Sequence, residues 1–126
     1  MQITYQMEIY EKVGHIIKAV EYIEYNLLDR MGHNTFENMT LGEITAMARR
    51  HNILHDDFEE QRLQDILNKR NDLIHQYFKR KDFEANAHNV PFLQHELNYL
   101  QSFYQEVSDF NNWLCSSAGK KNVESI

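Results

Sequence analysis

The segment KRNDLIHQYF, residues 69–78, gathers the side chains of this chain best suited to chemistry on an anion. Arg70 carries a permanently charged, fork-shaped guanidinium that can engage two oxygens of an oxyanion at once. His75 follows five positions later, and an imidazole, with a reference pKa of about 6.5, can take or give a proton near neutral pH. Asn71 adds an amide beside the arginine, and Tyr77 a phenolic hydroxyl. Charge is concentrated here as well. Lys69, Arg70, Lys79, Arg80 and Lys81 face a single acid, Asp72, whereas the whole chain carries a formal net charge of -6.

The spacing predicts that these groups lie on one long helix. At 100° per residue and with Leu63 as origin, Leu67, Ile74, Phe78, Ile66 and Tyr77 fall at about 40°, 20°, 60°, 300° and 320°. Arg70, at about 340°, falls in the middle of that apolar arc. Asn71 and His75, at about 80° and 120°, sit on its edge as i,i+4 neighbours, and Asp72 is expected to face water. An unpaired ion in a dry core costs several kcal/mol, so Arg70 requires a carboxylate, a snorkelling route, or a cleft. One reading is an internal ion pair, with Glu24 as partner. The other is an interface or cleft into which the guanidinium points.

The elements that must position the segment read as follows. Ile9, Val13, Ile16, Val20, Ile23 and Leu27 recur every three or four residues, so a long amphipathic helix is expected over about residues 3–30. RMGHNTFENM, residues 30–39, reads as a connection. Thr40 and Glu43 have capping-box spacing and open a short helix that ends near Asn52. Asp56 and Glu59 open a third helix, predicted to run to about Arg80. Pro91 starts a fourth, whose seam is Leu93, Leu97, Leu100, Tyr104, Val107 and Leu114. The predicted fold is all-α, an antiparallel four-helix bundle with one short helix, framed by its first, third and fourth helices. One domain is expected over residues 1–115, with a polar C-terminal tail over 116–126.

A lone cysteine, Cys115, and no apolar run long enough to cross a membrane set a cytoplasmic expectation. Cys115 reads as a small apolar filler. The acidic balance argues against a surface that is basic throughout, leaving only the segment around Arg70 as a place for nucleic acid. His51 and His55 have the spacing of two metal ligands on a helical turn, but no third ligand lies at zinc spacing. They read as part of a solvated connection, and no metal or cofactor is expected.

Arg70, Asn71, His75 and Tyr77 together resemble the Arg-x4-His signature of HEPN domains. The likeness is to the Arg-Asn-x3-His-x-Tyr form found in HEPN toxins of two-gene toxin–antitoxin modules. The run from TLGEI to DILNKRNDLIHQYF also looks like stand-alone bacterial HEPN proteins, over about residues 40–83. The resemblance implies a homodimer in which two copies of the motif face one cleft and form a metal-independent endoribonuclease, a toxin or phage-defence effector. Arg70 and His75 would be catalytic with Asn71 in support, and Lys69, Lys79, Arg80 and Lys81 would guide the RNA backbone. Attack by the 2′-hydroxyl would leave a 2′,3′-cyclic phosphate. In the toxins it resembles, the tyrosine is adenylylated by a nucleotidyltransferase antitoxin, which makes Tyr77 either a regulatory site or a core ring. Two rivals stand beside the nuclease: a HEPN-like module that binds nucleotide or protein without cleaving, and a structural helical subunit whose Arg70 pairs with a buried acid.

Overall fold

Apolar residues spaced three and four apart form one stripe of a helix, and burying that stripe is what selects the helical state. In the computed structural model, which describes residues 2–30, 41–50, 54 and 57–116, the first such stripe is α1, Gln2–Arg30. Ile9, Ile16, Val20, Ile23 and Leu27 are all buried along it. Then come α2, Leu41–Arg50; α3, Asp57–His75; α4, Tyr77–Arg80; and α5, Val90–Cys115. No strand occurs among the described residues, so the fold is all-α. The expected 30–39 connection, the caps Thr40 and Asp56, the pair His51 and His55, and the tail beyond Ser116 lie outside the described residues.

Side-chain bonds fix the helix directions. Gln6 donates its amide to the Ala87 carbonyl (2.7 Å), near the start of both α1 and α5. Further along, Asn111 donates to the Ala19 carbonyl (2.9 Å) and Asn26 donates to Asn111 (3.0 Å). α1 and α5 therefore run the same way, and they form the most extensive contact in the molecule. α3 runs against both: Lys69 meets Glu106 and Tyr77 meets Glu96 on α5, while Phe78, just beyond α3, meets Tyr10 on α1. α3 is thus antiparallel to both α1 and α5. Three long helices that alternate in direction leave the first and third parallel.

The third helix does not run unbroken to Arg80. It stops at His75, because Gln76 leaves helical geometry at φ -135° and ψ -21°. The interruption is a single residue. The Gln76 amide still bonds the Asp72 carbonyl (2.8 Å), and the Arg80 amide bonds Gln76 (2.7 Å). Just beyond the break Tyr77 packs inward, against Phe78 and Phe83 (ring centroids 5.3 Å for each) and Tyr99 (5.9 Å). Such aromatic pairs contribute about 0.5–1.5 kcal/mol each beyond the area they bury, enough to outweigh one distorted residue.

Between α4 and α5 the chain makes a run of turns that ends at Asn89, whose side chain accepts a bond from the Phe92 amide (3.2 Å) and caps α5 ahead of Pro91. Asn89→Ala should cost ~1 kcal/mol, a melting temperature lower by about 4 °C in a circular-dichroism melt. An unchanged melt would show that Pro91 and the packed first turn suffice.

Candidate functional site

The buried stripe of α3 is set by Leu63, Ile66 and Leu73, whereas Ile74 is 43% exposed. Leu73 lies at about 280° on the wheel used above, so the true centre of burial is shifted away from Ile74. Arg70, at about 340°, still falls within that arc, between Ile66 and Leu63, yet it is half-buried and not sealed in the core. Its Nη1 donates to Asn71 Oδ1 at 3.3 Å. Among the described residues no carboxylate stands within ion-pair distance of it.

Glu24, the expected partner, does feel the guanidinium, but the pairing is incomplete. Burial pushes its carboxyl above the ordinary value, Arg70 only partly opposes this, and the neighbouring Glu21 adds to it. A carboxylate in a tight ion pair would titrate low. Asn71 and His75 are both exposed, and His75 is the final residue of α3, next to the break.

The basic cluster is less available than its sequence implies. Lys69 bonds Glu106 at 2.7 Å; burial disfavours its charge, but this bond together with the charges of Glu106, Asp65 and Tyr99 holds the ammonium above its ordinary value. Arg80 makes two bonds to Asp72, at 3.1 and 2.8 Å, so Asp72 is an ion-pair partner and not simply a water-facing acid. Lys81 lies 3.7 Å from Glu96. Lys79 alone of the four expected RNA contacts is exposed with no carboxylate partner among the described residues. Three of the four charges are therefore already neutralised in the folded chain. The sequence count missed this because Glu96 and Glu106 come from α5, far along the chain.

Of the two readings of Tyr77, the structure places it as the core ring. It is fully buried and its hydroxyl donates to Glu96 Oε1 at 2.8 Å. Burial, then the bond to Glu96, pushes its ionisation far above the usual tyrosine range. It does not share an open face with Arg70, because its ring and hydroxyl are both enclosed while Arg70 is half-exposed.

Glu96 is the residue that sequence reasoning overlooked. It is 2% exposed and receives Tyr77 and, at 2.8 Å, His95 Nδ1, with Lys81 beside it. Burial pushes its carboxyl up, but the bonds from His95 and Tyr77 and the charge of Lys81 together hold it below its ordinary value. The signal was the one that exposed Arg70: with Leu93 as origin, Glu96 falls at about 300°, between Leu100 and Phe103, inside an apolar stripe.

Cys115, expected to be a small filler, is exposed at the end of α5. Among the described residues no group of three or more His, Cys, Asp or Glu side chains could hold a metal, and no helix is long and apolar enough to cross a membrane. Comparison with protein-family models, with curated proteins and with solved structures finds no match for this chain.

Proposed function

We propose that this protein is a metal-independent endoribonuclease that works as a homodimer, in the manner of the HEPN toxins whose Arg-Asn-x3-His-x-Tyr motif residues 70–77 resemble. One observation carries the reading. In a stretch where Lys69, Arg80 and Lys81 are each tied to a carboxylate, Arg70 is half-exposed and, among the described residues, bonded only to Asn71, which leaves its guanidinium available to an oxyanion. The incomplete pairing of Glu24 supports it, since a guanidinium kept for structure would hold that carboxyl low.

Each step of the chemistry has a residue suited to it. His75 takes the proton of the ribose 2′-hydroxyl, and the 2′-oxygen forms a bond to phosphorus as the bond from phosphorus to the 5′-oxygen breaks. The departing 5′-oxygen takes a proton from His75 of the second copy. Arg70 meets the negative charge that grows on the non-bridging oxygens, and Asn71 holds the guanidinium in place. Arg70 and His75 are about 140° apart around α3, so a cleft fed by two copies brings them to one phosphate more readily than a single helix does. Lys79 is the cation left to guide the RNA backbone. A cytoplasmic toxin or phage-defence role follows from the same resemblance. Adenylylation of Tyr77 by a nucleotidyltransferase partner would require the segment after Gln76 to open first, because the hydroxyl is buried against Glu96.

A non-cleaving HEPN-like module that binds nucleotide or protein is favoured by a different observation, the neutralisation of three of the four basic side chains flanking the motif. Incubation of the purified protein with transfer RNA in EDTA separates the two. The nuclease should release fragments ending in 2′,3′-cyclic phosphate. Intact RNA would leave the binding module, and fragments ending in a 3′-hydroxyl would exclude attack by the 2′-oxygen.

A further inference from the structure

A cavity of about 510 Å³ lies where the start of α1 meets α4 and the turns after it. That volume is within the ~300–1,000 Å³ of small-molecule sites. One wall is aromatic: Tyr10, 59% exposed, leans on Phe78 with ring centroids 5.6 Å apart, so a face of the tyrosine is open to the cavity mouth. Lys79 lines it too, and of the four cations flanking Arg70 it is the one without a carboxylate partner among the described residues. Two carboxylates, Asp82 and Glu84, and the Gln6 amide, whose nitrogen is engaged by the Ala87 carbonyl, complete the polar lining. Asp82 holds a left-handed backbone, φ 53°, a conformation that costs a non-glycine residue energy and collects at functional positions. Its Oδ1 accepts from the Ala85 amide at 3.3 Å, which leaves the other oxygen available.

The geometry points to a guanine-nucleotide subsite. A flat base lies on the open face of Tyr10, its phosphate is met by Lys79, and the carboxylates of Asp82 and Glu84 read the base edge. Among the common bases only guanine presents two adjacent donors there, the N1 and N2 hydrogens, and a carboxylate is acceptor-only. Adenine and cytosine put a ring-nitrogen acceptor beside their amine, and uracil flanks its one donor with two carbonyls; each would set a lone pair against a carboxylate. A cationic ligand fits the carboxylates but is opposed by Lys79. Splayed bases stacked on aromatic rings and read along this edge are how single-stranded RNA is commonly recognised. Lys79 follows His75 by four residues, so a nucleotide bound here is one neighbouring the scissile phosphate. As a residue of cleaved RNA it rests on the nuclease reading; as a free nucleotide it does not.

Two measurements on the intact protein test it. In the first, GMP, AMP and UMP are titrated against wild type, Tyr10→Ala and the double variant Asp82→Asn with Glu84→Gln. GMP should bind about tenfold tighter than the others, Tyr10→Ala should lower that affinity about tenfold, and the double variant should erase the preference for guanine. In the second, cleavage sites are mapped on single-stranded RNAs with and without guanosine. Cuts at a fixed step from guanosine, redistributed in the double variant, make the occupant a residue of the substrate. GMP binding that depends on Tyr10, without any cleavage by wild type, makes it a free nucleotide and removes the nuclease. Cleavage with unchanged sites and unchanged kcat/KM in both variants, or equal weak binding of all three nucleotides, overturns the subsite. Tyr10, Asp82 and Glu84 are exposed, so a melt matching wild type will accompany each variant.

Discussion

Alanine at position 75 is expected to lower the single-turnover rate of RNA cleavage by ~10²–10⁴-fold while leaving the melting temperature unchanged. The two halves of that result come from one fact, that His75 is exposed at the end of α3 and contributes nothing visible to the core. Exposed substitutions away from caps and networks usually stay within ~0.5 kcal/mol, so a large loss of rate with no loss of stability has a chemical cause.

Arg70→Ala should cost ~10²–10³-fold in the same assay, and Arg70→Lys should recover only part of it, because the charge returns without the planar fork. Here stability is the second readout. If Arg70 were the partner that keeps Glu24 in the fold, its removal would strand a buried carboxylate and cost ~3–5 kcal/mol. The position of Glu24 argues against that outcome: burial already holds its carboxyl above the ordinary range despite the guanidinium, so it can take up a proton where a strictly paired acid could not. A collapse of the fold in Arg70→Ala, with RNA cleavage by wild type absent, would return the residue to a structural role.

What could be read from the residues alone follows the range of each interaction. The stripes of α1 and α5 were legible because a 3.6-residue period is local: Ile9, Ile16, Val20, Ile23 and Leu27, and Leu93, Leu97, Leu100, Val107 and Leu114, are buried as the spacing requires, with Val13 and Tyr104 half-buried. The break at Gln76 was not legible, since no proline or glycine marks it, and the contacts of Tyr77 with Phe83 and Tyr99 just beyond it span a distance that a helical wheel does not contain. The free charge around Arg70 was misjudged for the same reason. Counting along the chain shows five cations beside one acid, but folding brings Glu106 to Lys69 and Glu96 to Lys81. Local pattern located the unusual arginine, and only tertiary structure distinguished it from its neutralised neighbours.

The largest effect on stability should come from Glu96, and it has a pH signature at both ends. Removing the carboxylate in Glu96→Ala orphans the Tyr77 hydroxyl, which is fully buried, and an unsatisfied buried donor costs ~1–3 kcal/mol before the cavity is counted. Tyr77→Phe should cost about as much by taking one donor from the carboxylate, whereas Tyr77→Phe combined with Glu96→Leu should fall well short of the sum, because no fully buried polar group is then left unpaired, His95 and Lys81 remaining open to water. The folded carboxyl lies below its ordinary 4.5, so its contribution is present above about that pH and is lost as pH falls through the lower folded value. The tyrosine is shifted the other way, above its ordinary 10.0, so its contribution is intact below pH 10 and fades as the solution becomes more alkaline. Urea unfolding of wild type should therefore show a plateau between these limits with a fall on each side, and Glu96→Gln should flatten the acid fall while keeping an acceptor for Tyr77. An acid limb that is identical in wild type and Glu96→Gln would place the titrating carboxyl elsewhere and remove Glu96 from the centre of the fold's polar core.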